Sequence, residues 1–308
     1  MTTITGKIMS RADFVGVGFC STDYLAVLPE IPIDNKLQIL EHLVQGGGPA
    51  ATSTVAAARL GMSAAFIGVA GDDDPGKVIV REFRNENVST DAMVIRPGSQ
   101  SAIAYCWIEK ETGNRSVAWT RGNLKELQAD EVDLDLVRQA KMLHIDGHNP
   151  AGALAAVKEA RKFNIPVNFD AGTLRDGVPE LLPYTTILIA SEKFALQYSG
   201  ESDLEKALFK LGKIGAPVTG VTMGERGSMM LDNGKILFCP SFKIKPVDTN
   251  GAGDVYHAAF AVRYLETTDL MECMRFASAV SALKCLNRGG ITGIPCRAEA
   301  DKFLAEHK

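Results

Sequence analysis

Short apolar runs alternate with stretches of helical periodicity along most of the chain. Residues 14–19 (Phe-Val-Gly-Val-Gly-Phe) are apolar with a β-branched bias, the pattern of a strand buried on both faces of a parallel sheet. After the break at Gly46-Gly47-Gly48-Pro49, residues 50–60 read as an Ala-rich helix closed by Gly61. The pattern predicts a strand over 64–69 and a helix over 77–85 that ends near Val88. From Val137 the alternation resumes, with strands over 142–145, 167–169, 187–189 and 218–221 and helices over 151–163, 204–214 and 253–266. This β-α-β rhythm predicts an α/β fold. We expect a doubly wound, mostly parallel, Rossmann-like sheet with helices on both faces, in one domain over 1–308.

Two stretches break the rhythm. Residues 23–45 and 101–120 alternate in polarity without a helix between them, and the second folds back at Thr112-Gly113-Asn114, a hairpin signature. They predict a small antiparallel sheet, from about 23–45 and 97–121, projecting from the core. Its expected role is a lid, since closure over a site excludes water; a decorative edge sheet or a dimerisation element is the alternative.

Composition narrows the class. A net charge of −4 argues against nucleic acid or an anionic membrane surface as partner, and no run reaches the length of a membrane helix. The six cysteines are scattered, with no Cys-x-x-Cys pair, and read as small buried hydrophobes. Residues 1–13 are polar and lack the apolar run of a signal peptide, so a cytoplasmic location is expected. Gly16-Val17-Gly18-Phe19-Cys20-Ser21 begins like a dinucleotide fingerprint but ends on Ser21, and the next helical pattern comes much later.

The chemistry concentrates at Asp248-Thr249-Asn250-Gly251-Ala252-Gly253-Asp254, which runs straight into a helix. Glycines at a helix start let an anion approach unpaired N–H groups at the positive end of the dipole. Asp254 sits in the first turn, so an anion cradle carries a carboxylate base at its rim. Moving a phosphoryl group onto a hydroxyl requires that pair. An ordinary Gly-rich loop before a core helix fits the same stretch taken alone.

With Gly46-Gly47-Gly48-Pro49-Ala50-Ala51-Thr52 and Gly71-Asp72-Asp73-Asp74-Pro75-Gly76 near the start and this motif near the end, the chain resembles the ribokinase-like, or PfkB, carbohydrate kinases over nearly its whole length. The resemblance implies ATP and Mg2+ as cofactors and a sugar as acceptor. It makes Asp254 the base and the Gly251, Ala252, Gly253 and Asp254 turn the anion hole. It assigns Asp23, Gly47, Gly48, Thr52, Ser101, Trp119 and Asp146 to the sugar, and Ser191, Thr222, Gly224, Gly227 and Ser278 to the nucleotide. Glu192 is expected near magnesium, and Asp248 with Gly290 where relatives hold a monovalent cation such as K+.

Three residues depart from the family pattern. Thr52 replaces a common Asn, Phe194 stands where an Asn-x-x-Glu motif has its carboxylate, and Asn250 replaces a Thr. Several runs look most like the sulfofructose kinase branch, yet Gly147 stands where that branch has an Arg, and Trp119 where it has a polar side chain. Arg121 and Lys36 are candidates to meet an anionic substrate, or are solvated lid residues. His148 could contact the acceptor or be structural, whereas His257 is expected to pack. The acceptor thus reads as a ketose-like sugar or sugar derivative. The alternatives are a nucleoside kinase of the same fold and a catalytically silent sugar or nucleotide sensor. The exposed edges of a lid sheet further predict a homodimer through that sheet.

Overall fold

The computed structural model describes residues 11–307; of the polar stretch 1–13, positions 1–10 lie outside the described residues. The main sheet has nine strands in the order Lys235–Cys239, Ser228–Asp232, Val218–Thr222, Ile187–Ser191, Val167–Ala171, Met142–Ile145, Phe14–Val17, Ala64–Ile67, Val88–Ser89. The last seven run parallel, and the first two are added through antiparallel pairings, so that Ser228–Asp232 alone runs against the rest. One buried cluster fills each face. Helices Pro49–Arg59, Ala252–Glu266 and Leu270–Cys285 supply one, and Pro150–Lys162 and Leu204–Gly212 the other.

Strand order reverses beside Phe14–Val17, which pairs with Met142–Ile145 on one side and Ala64–Ile67 on the other. Ligands of such sheets bind outside the carboxyl ends of the strands at this switch point. Gly16 and Gly18 serve packing here. A Cβ on Gly16 would overlap the Thr54 hydroxyl on helix Pro49–Arg59, and one on Gly18 would overlap the Asp146 carboxylate.

Boundaries shift for local reasons. Gly68 divides the expected strand 64–69 into Ala64–Ile67 and Val69–Gly71. The next helix starts early, at Asp74, because Asp73 caps it, accepting the Gly76 N–H at 3.0 Å. The hairpin Ser228–Asp232/Lys235–Cys239 lies beyond the predicted strands, turning on Asn233 and Gly234 at φ 48° and 77°.

The lid forms as a second sheet, ordered Glu41–Gly47, Ser21–Leu28, Ile103–Glu109, Arg115–Thr120. Its two outer pairs are antiparallel and join through a parallel central pair. Register puts Asp23, Ala104 and Trp119 side by side, and Tyr24 beside Tyr105 on the opposite face. Five cysteines are buried, as their scatter suggested, while Cys296 is exposed before the helix Arg297–Glu306. Among the described residues no helix is long and apolar enough to cross a membrane.

Candidate active site

Helix Ala252–Glu266 begins at Gly251, whose φ of 77° is left-handed, so the chain turns there without Cβ strain. A side chain at Gly253 would meet nothing within 4 Å, which leaves the first turn open to an incoming group. The Ala252 N–H donates to the Thr249 carbonyl at 3.3 Å. The Gly253 and Asp254 amides, which a first turn leaves without helical acceptors, face a cavity of about 330 Å³ that both residues line. Burial, and next the neighbouring Asp170, push the Asp254 carboxyl up to about 7.

The lid closes one end of this cavity. Asp23 lines it, accepts the Ser21 hydroxyl at 2.7 Å, and is raised by burial to about 6. Asn250 lowers that value by a side-chain hydrogen bond, so the residue that departs from the family pattern ties the anion loop to the lid carboxylate. Gly47 lies behind Asp23, where a Cβ would overlap the carboxylate, while Gly48 and Thr52 line the cavity itself.

An aromatic wall follows. Phe19 stacks on His148 at 4.7 Å and meets Trp119 edge-on at 5.5 Å. Arg121 sits over Phe19 at 5.3 Å and donates to the His148 carbonyl at 3.1 Å, so it supports this wall without lining the cavity. Burial keeps His148 neutral, and its Nε2 is 3.2 Å from the guanidinium of Arg175, which lines the cavity. Arg115, also lining, donates to the Thr249 hydroxyl at 2.9 Å.

Asp170 lines the opposite wall at the end of Val167–Ala171, raised to about 7 by burial and then by Asp146. His257 packs within the helix as expected, yet reaches the cavity with Nε2 3.2 Å from Asp170; burial lowers it to about 4, so the ring is neutral. The sequence reading missed Asp170, Arg175 and Arg115. Asp170 and Arg175 belong to no motif that the sequence reading used, and Arg115 was read only as part of the strand after the Thr112-Gly113-Asn114 turn.

Ser191 and Thr222 line the far end, at the carboxyl ends of adjacent strands. The Ser191 hydroxyl caps a helix, accepting the Phe194 N–H at 3.0 Å, and donates to the Gly172 carbonyl at 2.8 Å. Gly224 opens the turn after Val218–Thr222, and Gly227 (φ 97°) closes it, its carbonyl accepting the Met223 N–H at 2.8 Å. Ser278 is buried on Leu270–Cys285 and hydrogen-bonded to Cys239. None of these three lines the cavity.

Four further expectations need correcting. Asp146 does not line the cavity: its two oxygens accept the Phe19, Ala50 and His148 amides at 2.9, 3.1 and 2.9 Å, pinning the switch point. Ser101 is buried in the lid anchor, donating to Asp73 at 2.5 Å and accepting the Gly71 N–H at 2.8 Å. Glu192 pairs with Arg226 at 2.5 Å, away from the cavity. Asp248 is fully buried and already holds a cation, because the Lys284 ammonium donates to its backbone carbonyl at 2.7 Å; Gly290 lies beside Gly251, behind the turn.

A doubly wound sheet, a lid with an inward carboxylate, and a helix mouth with a carboxylate at its rim define a phosphotransferase that acts on an alcohol. Residues 17–297 match the pfkB family carbohydrate kinase model. The chain is 27% identical to the ribokinase of Bacillus subtilis strain 168, over 94% of this chain and 98% of that one. It is 30% identical to the ATP-dependent ribose-1-phosphate kinase of Halopiger xanaduensis, over 91% and 92%. The solved Arabidopsis thaliana ribokinase complexed with ribose and ATP superposes with a TM-score of 0.83 at 25% identity, covering 96% and 99% of the two chains. The chain therefore belongs to the pfkB family of carbohydrate kinases, and its activity is ATP-dependent phosphorylation of a sugar.

Two outcomes follow from this geometry. Ser101→Ala should lower stability by about 1–3 kcal/mol in denaturant unfolding, since the buried Gly71 amide loses its acceptor and Asp73 loses one of its three donors. The acceptor KM should change less than about twofold; a large rise would restore Ser101 to the sugar. The second outcome concerns Asp254. A carboxyl raised on folding contributes stability that is present below its unfolded pKa and lost as pH rises through the folded value, here about 7. Asp254→Asn should therefore raise the ligand-free Tm by about 2–5 °C near pH 8 and by little near pH 5. Equal differences at the two pH values would exclude a buried, raised carboxyl.

Proposed function

We propose that the chain transfers the γ-phosphoryl group of ATP to a hydroxyl of a monosaccharide, a ketose-like sugar or sugar derivative. Asp254 takes the hydroxyl proton, and the turn from Gly251 through Asp254 receives the charge on the migrating group. One observation carries this reading: a single cavity joins the lid carboxylate Asp23 to Ser191 and Thr222, with Asp254 and Gly253 between them. An acceptor on Asp23 and a nucleotide against the strand ends would meet over the helix mouth. There, positioning and charge stabilisation do nearly all the catalysis.

Magnesium fits this cavity through Asp170. Mg2+ is commonly bound by one or two carboxylates plus substrate phosphates, and the Asp170 carboxyl, raised by burial and then by Asp146, lacks a counter-charge. Bound there, the ion would neutralise phosphate charge. Glu192, committed to Arg226, is not the residue we assign to it.

The substrate class follows from the far wall. Among the described residues no carboxylate pairs with Arg175, which faces the cavity beside His148. A planar guanidinium of this kind suits an anionic substituent. This supports an acceptor bearing a phosphate, sulfonate or carboxylate group, held from a different strand end than Gly147. The nucleoside alternative has less support, because a neutral base gives Arg175 no partner. A silent sensor has no use for a base beside the cradle.

The lid also supports a homodimer. Its outer face carries the Tyr24–Tyr105 stack at 5.3 Å, with Tyr105 exposed, and the segment between its first two strands exposes Ile33, Ile39 and Leu40.

Three experiments test this reading. Asp254→Asn should lower kcat about 10³-fold while ATP binding by calorimetry changes little; retained turnover would refute the role of base. Run with wild type, an ADP-release screen of neutral sugars, anionic sugars and nucleosides should give its highest kcat/KM with an anionic sugar. Sedimentation at micromolar concentration should report a dimer that Tyr105→Glu dissociates, and a monomeric wild type would remove that assignment.

A further inference from the structure

The cation behind the anion-hole loop is part of the chain. Lys284, on helix Leu270–Cys285, and Asp248 are both 0% exposed. The ammonium donates to the Asp248 backbone carbonyl at 2.7 Å and lies 3.9 Å from Oδ1. Asp248 is a bracket. Its Oδ1 accepts the Asn250 N–H at 2.7 Å, in the turn entering Gly251, and its Oδ2 accepts the Gly289 N–H at 2.8 Å. The Val247 and Asp248 amides both donate to the Cys285 carbonyl, next to Lys284 in sequence. A carboxylate with no exposure needs a partner charge, and a buried ammonium needs one equally. Here each is the other's.

The expected monovalent cation at Asp248 and Gly290 therefore does not fit these residues: a second positive ion beside Asp248 would meet the Lys284 ammonium. We propose that Lys284 supplies, as a tethered ammonium, the charge that fixes the 248–254 turn, so that catalysis by this chain needs no added monovalent cation. Lys284 touches neither cavity nor substrate and is a positioning residue. The inference rests on reading that turn as the anion hole.

The test uses thallium(I), a potassium surrogate, and potassium itself on the full chain. Wild type should show no bound thallium in thallium-205 NMR or anomalous diffraction. With its acceptor, it should turn over equally, within about twofold, in potassium chloride and choline chloride. Lys284→Ala should lose kcat by more than about tenfold, bind one thallium ion beside Asp248, and recover rate with potassium or ethylammonium. Thallium at Asp248 in wild type, or a several-fold activation of wild type by potassium, would overturn the proposal. So would full kcat in a folded Lys284→Ala protein in choline chloride. The wild-type measurements decide the matter if the variant does not fold. The thallium measurement decides it if no acceptor turns over, an outcome that would count against the proposed kinase reaction instead.

Discussion

A helix mouth that must receive an anion, with a carboxylate fixed at its rim, is the constraint from which the rest of the structure follows. The two features oppose each other. The first-turn amides attract negative charge, and Asp254 together with Asp170 repels it. Burial, and after it a neighbouring carboxylate (Asp170 for Asp254, Asp146 for Asp170), raises both carboxyls towards neutrality in the free protein. Such a site is electrostatically unsatisfied until a cation and a phosphate chain enter together. Preorganised donors in a water-poor cavity owe their strength to that prior tension.

Holding the mouth in shape takes several fixed points, and each is a carboxylate that accepts two or three backbone amides. Asp248 ties the turn to the Gly289 loop. Asp146 ties strand end 17–19, helix Pro49–Arg59 and His148 to one another. Asp73 accepts Ser101 and Gly76, locking the lid's second half to a helix start. Carboxylates bonded to two or three N–H groups make rigid brackets, since charge-assisted bonds are short and directional. The lid thus joins the core at several anchored points, while its inner face stays free to carry Asp23 and Trp119.

Most of the fold was legible in the sequence, because apolar runs and helix-ending glycines report burial and periodicity directly. The anion turn was legible for the same reason: Gly251 and Gly253 are needed where backbone must bend or be approached. Residues whose work depends on distant elements were harder to read. Asp146 and Ser101 carry family-like positions, yet their main partners (the Phe19 and Ala50 amides, and Asp73 with the Gly71 amide) lie far off in the sequence, which no local pattern reveals. Asp170 and Arg175 lie on one strand end and the loop after it, and become a site only when the Val167–Ala171 strand is placed beside the helix mouth. Glu192 was drawn away by Arg226, an exposed partner 34 residues later that spacing does not single out.

Lys284 escaped the sequence reading because its partner is likewise distant in sequence, and its chemistry differs from that of a diffusing ion. A lysine in an apolar helix stretch (Ser-Ala-Leu-Lys-Cys) reads as solvated, yet its helix neighbours Ala282 and Cys285 are buried with it. A tethered ammonium is desolvated once, on folding, and is then present at unit occupancy whatever the salt. An ion of the same charge must be captured and dehydrated at each binding event. The ammonium is also directional: three N–H groups favour acceptors along set lines, whereas a spherical cation accepts any carbonyl cage. The short bond to the Asp248 carbonyl uses that directionality, aiming charge at the peptide that leads into the anion turn. Fixed occupancy and fixed direction make the loop's geometry a property of the fold and not of the medium.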